Sequence, residues 1–443
     1  MRQKFLSPFW LPVYAFGLVI LAGALLLRLE PSLNGVSLSF VDALFTATSA
    51  VCVTGLAVVD TPSTFSTLGR TVLVSLIQLG GLGIMTYSSL IFFLLRRRVS
   101  LTDKTAVGQV LLHDPSFDLG RFLLHMIIFT LCIELAGAAA LMVLLPHDMP
   151  FFYAVFHSIS AFCNAGFALF SDSLMRWHNN AGVNVVFMLL IILGGLGFSV
   201  LEECLLRLRG EIKSLSRHTR IVLRTSFWLI FGGAACLLLT ELHSGGSADI
   251  FTRTLHALFQ SVTARTAGFN TVDIGSMANV SLLIMLFLMF VGGSPGSCAG
   301  GIKTTTLRAL GAFVTAQLMG RRQVVLRGRA LDDATMNKAL TLFIFAVLTV
   351  AGATLALSIT ESSGGALAKD KGMFLELLFE AISAFATVGL STGLTADLTP
   401  AGKLIITFLM FVGRIGPIWL LTALQRFQNE PKYRWPETQL PIG

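Results

Sequence analysis

The feature that most constrains this chain is an alternation of long and short apolar stretches. Long, nearly charge-free stretches occupy residues 7–27, 71–95, 122–145, 181–201, 221–240, 274–302, 339–360 and 404–424. Shorter ones fall at 40–53, 151–165, 251–263 and 373–388. The order is long, short, long, repeated four times. About 20 apolar residues cross a bilayer as a helix, whereas 10–14 suggest a re-entrant segment. The chain therefore predicts an all-α integral membrane protein of four pseudosymmetric repeats. Each repeat reads as helix, re-entrant pore segment, helix, which gives eight transmembrane helices and four pore loops around one central pore. The units are residues 1–98, 122–207, 221–320 and 338–426, followed by a polar tail at 427–443. Charged residues make up 13% of the chain and mean hydropathy is +0.78. A soluble protein carries roughly 25% charge, so a soluble enzyme and a disordered chain are both excluded. The first apolar run is longer than the core of a signal peptide and predicts a first span, not a cleaved leader.

Most of the 32 basic residues fall in the segments that join one unit to the next. They include Arg96, Arg97, Arg98 and Lys104; Arg207, Arg209, Lys213, Arg217 and Arg220; and Arg308, Arg321, Arg322, Arg327, Arg329 and Lys338. The termini add Arg2, Lys4, Arg426, Lys432 and Arg434. Lys and Arg mark the cytoplasmic side. Both termini and all inter-unit segments are thus expected in the cytoplasm, with the short segments entering from outside. This distribution accounts for the net charge of +8 without nucleic acid. Six cysteines, none in a CxxC pair, form neither a disulfide framework nor a zinc site.

Each short segment ends in a similar phrase: Ser49-Ala-Val-Cys-Val-Thr-Gly55, Ser160-Ala-Phe-Cys-Asn-Ala-Gly166, Thr263-Ala-Arg-Thr-Ala-Gly268 and Ser383-Ala-Phe-Ala-Thr-Val-Gly389. Phe45, Phe156 and Phe379 stand ten residues before their glycine, and Phe259 stands nine before, so the third segment is shorter or differently wound. Glycine admits backbone angles closed to other residues. Four such loops can present backbone carbonyls in place of an ion's water shell, helped by the negative ends of the short helices. The expected ion-binding residues are Val53, Thr54 and Gly55; Asn164, Ala165 and Gly166; Thr266, Ala267 and Gly268; and Thr387, Val388 and Gly389. The plain alternative is four helix ends capped by glycine. Asp60, Asp172, Asp273 and Asp397 follow the glycines. They either form an acidic outer mouth or cap the next helix.

Each closing long stretch carries glycines as well: Gly80-Gly81-Leu82-Gly83, Gly194-Gly195-Leu196-Gly197, Gly292-Gly293-Ser294-Pro295-Gly296 and Gly413-Arg414-Ile415-Gly416. Close helix packing explains such glycines in a membrane; a nucleotide-binding loop does not, since no strand precedes them. The third is abnormal. Its glycines, with Gly300 and Gly301, and Pro295 predict an unwound helix in mid-membrane. Arg414 at membrane depth must face a cavity or a partner. Arg414 and the 292–301 loop, with Lys303, are expected to form a gate below the filter; a static kink is the alternative.

These phrases, the loop running to Lys303 and the Phe411-Val-Gly-Arg-Ile-Gly-Pro417 motif resemble the Trk/Ktr/HKT superfamily of potassium transporters over nearly the whole chain. Val53-Thr-Gly-Leu-Ala-Val-Val-Asp60 and the eight spans are closest to the Ktr membrane-subunit branch. The resemblance implies potassium uptake in the bacterial inner membrane, a homodimer, and a cytoplasmic ring of RCK-type subunits. Any nucleotide, ATP, ADP or NAD, would bind that partner and not this chain. It also implies activation by sodium in the Ktr branch. Relatives with glycine in all four loops favour potassium, and some plant relatives with serine in the first admit sodium. Departures are Cys52 and Cys163 beside the filter and Pro295 in the loop. A coupled sodium/potassium symporter is the nearer alternative, although parallel repeats favour a channel-like path over the inverted repeats of coupled carriers. Gly292 to Gly296 also fits GxSxG, but a serine protease needs a histidine at the same depth, and His125, His157 and His256 are not so placed. The basic segments suit anionic lipid or a partner's acidic face.

Overall fold

The computed structural model describes residues 11–82, 119–243, 249–361 and 373–416. The basic segment from Arg96 to Lys104, Arg2, Lys4, Gly83, Pro417, Arg426 and the 427–443 tail lie outside the described residues.

Helices α1 (Leu11–Arg28), α2 (Phe40–Val51) and α3 (Thr67–Gly81) form the first group. The second is α4 (Leu119–Leu144), α5 (Phe151–Phe162) and α6 (Ala181–Leu196), continued by α7 (Phe198–Leu208). The third is α8 (Arg217–His243), α9 (Ile250–Thr263), α10 (Asn279–Phe290) and α11 (Thr304–Leu318). A two-stranded hairpin, β1 (Val325–Leu326) with β2 (Arg329–Ala330), leads to the fourth: α12 (Asp333–Glu361), α13 (Met373–Ala386) and α14 (Pro400–Ile415).

The groups close on one another. α3 packs on α5, α6 on α9, α10 on α13, and α14 on α2. Each closing helix thus leans on the next group's short helix, and the last leans on the first. Lys403 of α14 pairs with Asp42 of α2 at 2.8 Å and ties the ends of the circuit together. Side-chain caps start three of the closing helices: Ser66 accepts from Gly69 N–H, Asn180 from Val183 N–H, and Thr399 from Gly402 N–H. Phe45, Phe156, Phe259 and Phe379 are buried at equivalent places in the short helices and anchor them in the core.

Three described helices are long and apolar enough to cross a membrane, residues 124–144, 217–242 and 333–361, with the α6–α7 pair as a fourth. Of the eight expected stretches, those at 7–27, 71–95 and 404–424 extend beyond the described residues, and those at 181–201 and 274–302 are broken. α1, α3 and α14 run to the limits of the described residues. α6 stops at Leu196 instead of continuing to 201, because Gly197 takes φ +94° and turns the chain by 106° into α7. The stretch at 274–302 holds only α10 before it unwinds at Val291. The long helices bury less than a third or so of their apolar windows, 22% in α12. Leu348, Leu355 and Ile359 are exposed on that helix, as suits a surface facing hydrocarbon.

Candidate functional site

The four phrase glycines meet in a ring. A Cβ placed on Gly55 would stand 3.1 Å from the Gly166 Cα, one on Gly166 would stand 3.0 Å from the Gly268 Cα, one on Gly268 would stand 3.3 Å from the Gly389 Cα, and one on Gly389 would stand 2.9 Å from the Gly55 Cα. Each would also meet the carbonyl oxygen that precedes the neighbouring glycine: Ala165, Ala267, Val388 and Thr54 in turn. Only a residue without Cβ lets the loops approach so closely. The glycines have φ of +97°, +69°, +78° and +89°.

Two residues earlier, Val53, Asn164, Thr266 and Thr387 also have positive φ, between 52° and 73°. Valine and threonine rarely adopt that region, and such strain collects at functional sites. Left-handed residues flanking one of ordinary hand break the strand pattern, in which consecutive carbonyls point opposite ways, and turn successive peptide groups toward a common side. Among the described residues, no protein donor reaches the carbonyl oxygens of Val53, Thr54, Asn164, Ala165, Thr266, Ala267, Thr387 or Val388, all of them buried residues. The hydroxyls of Thr54, Thr266 and Thr387 are buried without partners too. Buried backbone carbonyls are nearly always paired. A ring of unpaired ones is an oxygen-rich centre that suits a cation.

A hydroxyl at the head of each phrase holds its loop, a role the sequence reading did not assign. Ser49 Oγ donates to the Leu56 carbonyl at 2.7 Å and accepts from Gly55 N–H at 3.1 Å. Ser160 donates to the Phe167 carbonyl, Thr263 donates to that of Phe269, and Ser383 accepts from Gly389 N–H. The short spacing in the third group has a cause. Thr54, Ala165 and Val388 N–H reach back five residues, to Ser49, Ser160 and Ser383, whereas Ala267 N–H reaches back four, to Thr263. The third loop is wound one residue tighter.

Arg265 was also missed, although it is the only cation in the four phrases. It occupies the place of Cys52, Cys163 and Ala386, is buried, and donates from Nη2 to Ser226 Oγ at 3.3 Å, while its Nε has no partner. Glu134, the one acid in its span, is buried against Gln78 Nε2 at 3.2 Å. All six cysteines are free.

Residues 291–302 form a non-helical loop between α10 and α11, with Gly292, Gly293, Ser294, Gly300 and Gly301 buried, Pro295 half-buried and Gly296 exposed. It is bonded to the end of α6: Ser294 N–H to the Gly195 carbonyl at 3.1 Å, Cys298 N–H to the Gly194 carbonyl at 3.2 Å, and Phe198 N–H to the Gly296 carbonyl at 3.1 Å. Gly300 lies against Ala386 and Thr387, beside the fourth loop phrase. Arg414 donates from Nη1 to the Cys298 carbonyl and from Nη2 to the Gly80 carbonyl at 2.5 Å. Lys303 Nζ donates to the Ala299 carbonyl at 2.5 Å. The closing-helix glycines serve the packing: a Cβ on Gly80, Gly194 or Gly413 would strike the carbonyl of Val51, Phe162 or Phe385, at the end of the same group's short helix. Ser294 Oγ accepts from Thr304 Oγ1 at 3.2 Å, and both ring nitrogens of His157 are engaged, by Tyr153 carbonyl and Leu169 N–H.

The aspartates divide. Asp60 accepts from Ser63 and from Ser171 of the next group. Asp172 pairs with Arg176 at 2.7 Å, and that bond holds its carboxyl below the usual carboxylate range. Asp273 accepts from Gly275 N–H as a cap. Asp397 is exposed, with no side-chain partner among the described residues.

The result is a polytopic membrane protein with a carbonyl-lined centre and a cationic side chain pinned to an unwound loop beside it. Residues 9–431 match the TrkH family, described as cation transport protein. The chain is 36% identical to the potassium/sodium uptake protein NtpJ of Enterococcus hirae, over 100% of this chain and 98% of that one. It is 38% identical to the Ktr system potassium uptake protein B of Bacillus subtilis, over 97% and 95%, and 39% identical to that of Vibrio alginolyticus, over 96% and 92%. The crystal structure of the potassium transporter TrkH from Vibrio parahaemolyticus shares the fold, with a TM-score of 0.75 and 21% identity over 94% of this chain and 84% of that one. The chain belongs to the TrkH family of cation transport proteins.

Proposed function

We propose that the chain carries potassium into a bacterial cell across the cytoplasmic membrane, with both termini in the cytoplasm. The observation that carries this reading is the ring of buried carbonyls without protein donors. Such oxygens replace the water an alkali cation sheds. Residues 53–55, 164–166, 266–268 and 387–389 form the filter. The 292–301 loop with Lys303 and Arg414 forms the barrier on the cytoplasmic side of it, because two fixed cations beside an unwound segment oppose a passing cation. Asp60 and Asp397 draw cations to the outer mouth; Asp172 serves less, since Arg176 neutralises it. Relatives named as components of a Ktr system support a separate regulatory subunit, which in this reading is a cytoplasmic RCK-type ring that binds the nucleotide and sits on a homodimer of this chain; a relative named for potassium and sodium supports a role for sodium.

The test is potassium and sodium uptake by a transport-deficient cell carrying the wild type or Gly55→Ser. A serine Cβ at φ +97° would press on the Ala165 carbonyl and widen the ring. The preference for potassium over sodium is expected to fall about tenfold, ~1.4 kcal/mol of discrimination. A variant that keeps its preference would contradict the filter assignment.

A further inference from the structure

α11 follows the intramembrane loop directly, and Thr304 at its start is bonded to that loop through its N–H to the Gly293 carbonyl at 3.1 Å. Along α11 lies a cavity of about 280 Å3, lined by Arg224 of α8, Arg308, Gly311 and Thr315 of α11, and Arg321 and Arg327 near the β1–β2 hairpin. Among the described residues, no Asp or Glu lines it. Among the described residues, none of the four guanidinium groups has an ion pair or a side-chain hydrogen bond. All four are exposed, so water screens their mutual repulsion, and an anion placed among them would meet guanidinium groups that no described carboxylate occupies. Guanidinium groups bind phosphate oxygens in pairs. A space of that size has room for a phosphodiester group.

A second observation separates a lipid from a soluble anion. Gly311 and Thr315 share a helix face with Val314 and Leu318 by the three- and four-residue spacing, and these two are 53% and 84% exposed. Met319 and Val325, next to the cavity, are exposed as well. A free phosphate has no use for that apolar strip; an acyl chain does. Basic pockets on the cytoplasmic side of membrane helices hold anionic headgroups, and the orientation proposed above puts this cavity on that side.

We propose that the Arg224–Arg308–Arg321–Arg327 cavity binds the phosphodiester headgroup of an anionic phospholipid, with its acyl chains along the exposed Val314–Leu318 face of α11. The bound lipid holds the far end of the helix whose other end carries the loop.

The test uses the full chain, reconstituted in phosphatidylcholine vesicles containing phosphatidylglycerol, extracted, and weighed with its retained lipids by native mass spectrometry. The wild type is expected to retain phosphatidylglycerol over phosphatidylcholine. Arg308→Gln/Arg321→Gln/Arg327→Gln is expected to lose about a hundredfold of that preference, each guanidinium near an anionic surface contributing roughly a factor of five. Arg308→Gln alone, a variant with less effect on folding, is expected to lose about fivefold. Arg207→Gln/Arg209→Gln, which changes basic residues elsewhere, is expected to retain the lipid. Equal retention by wild type and the triple variant overturns the proposal. So does displacement of the lipid by an equal concentration of inorganic phosphate, which would mark a soluble-anion site, or by a regulatory protein subunit bound through the same arginines.

Discussion

Gly268→Ala is expected to cut potassium uptake about a hundredfold, roughly 3 kcal/mol on the permeation barrier. The new Cβ would stand 2.5 Å from the Val388 carbonyl oxygen, 3.2 Å from the Gly166 Cα and 3.3 Å from the Gly389 Cα. All three are backbone atoms, so no flexible side chain can give way. The φ of +78° adds the left-handed cost of an L side chain, about 1–2 kcal/mol. The strain can be relieved only by moving the carbonyls that would hold the ion. Gly352→Ala is the control: a Cβ there meets nothing within 4 Å on α12, so uptake should be unchanged. Rubidium uptake in a transport-deficient cell, with the thermal stability of each purified protein, separates a filter defect from unfolding. A Gly268→Ala protein that transports like the wild type would remove the reason for glycine at this place.

Arg414→Ala is expected to raise the flux. Arg414 joins α14 to the Cys298 carbonyl of the loop and to the Gly80 carbonyl at the end of α3. Hydrogen bonds from a charged donor contribute about 1.5–3 kcal/mol each. Losing both frees the loop from two groups and removes a cation from the proposed path, and the gain is expected to be about tenfold or more, since ~1.4 kcal/mol shifts an equilibrium tenfold. Arg414→Lys keeps the charge but cannot reach both carbonyls as a planar fork does, so it should fall between alanine and the wild type. Single-turnover flux from potassium-loaded proteoliposomes measures this. A fall in flux in both variants, with the protein intact, would show that Arg414 supports the path instead of obstructing it.

The repeating phrases made the centre of the molecule legible. Glycine at one place in four similar contexts is a local signal, and even the tighter winding of the third loop was visible in the nine-residue interval from Phe259 to Gly268. The bend at Gly197 was not, because Gly194-Gly195-Leu196-Gly197 reads equally as a packed helix and as a broken one. What ends α6 is the loop seated against it: Ser294 and Cys298 take the Gly195 and Gly194 carbonyls, and Phe198 N–H takes that of Gly296. Bonds between residues a hundred apart leave no periodic trace. The hydroxyls of Ser49 and Ser383 were in plain view but look like ordinary helix serines until the turn beyond them is known. Arg265 was overlooked for a similar reason. A lone arginine in a loop phrase suggests solvent, and only the packing of α8 against α9 shows it buried beside Ser226.

The central claim is that backbone oxygens from four loops hold a dehydrated alkali cation on one axis. Crystals grown with rubidium in place of potassium test it through an anomalous difference map. The account predicts a peak between the carbonyls of Thr54, Ala165, Ala267 and Val388, lost when sodium replaces rubidium. A map with rubidium only at the outer carboxylates, and none among those carbonyls, would contradict it.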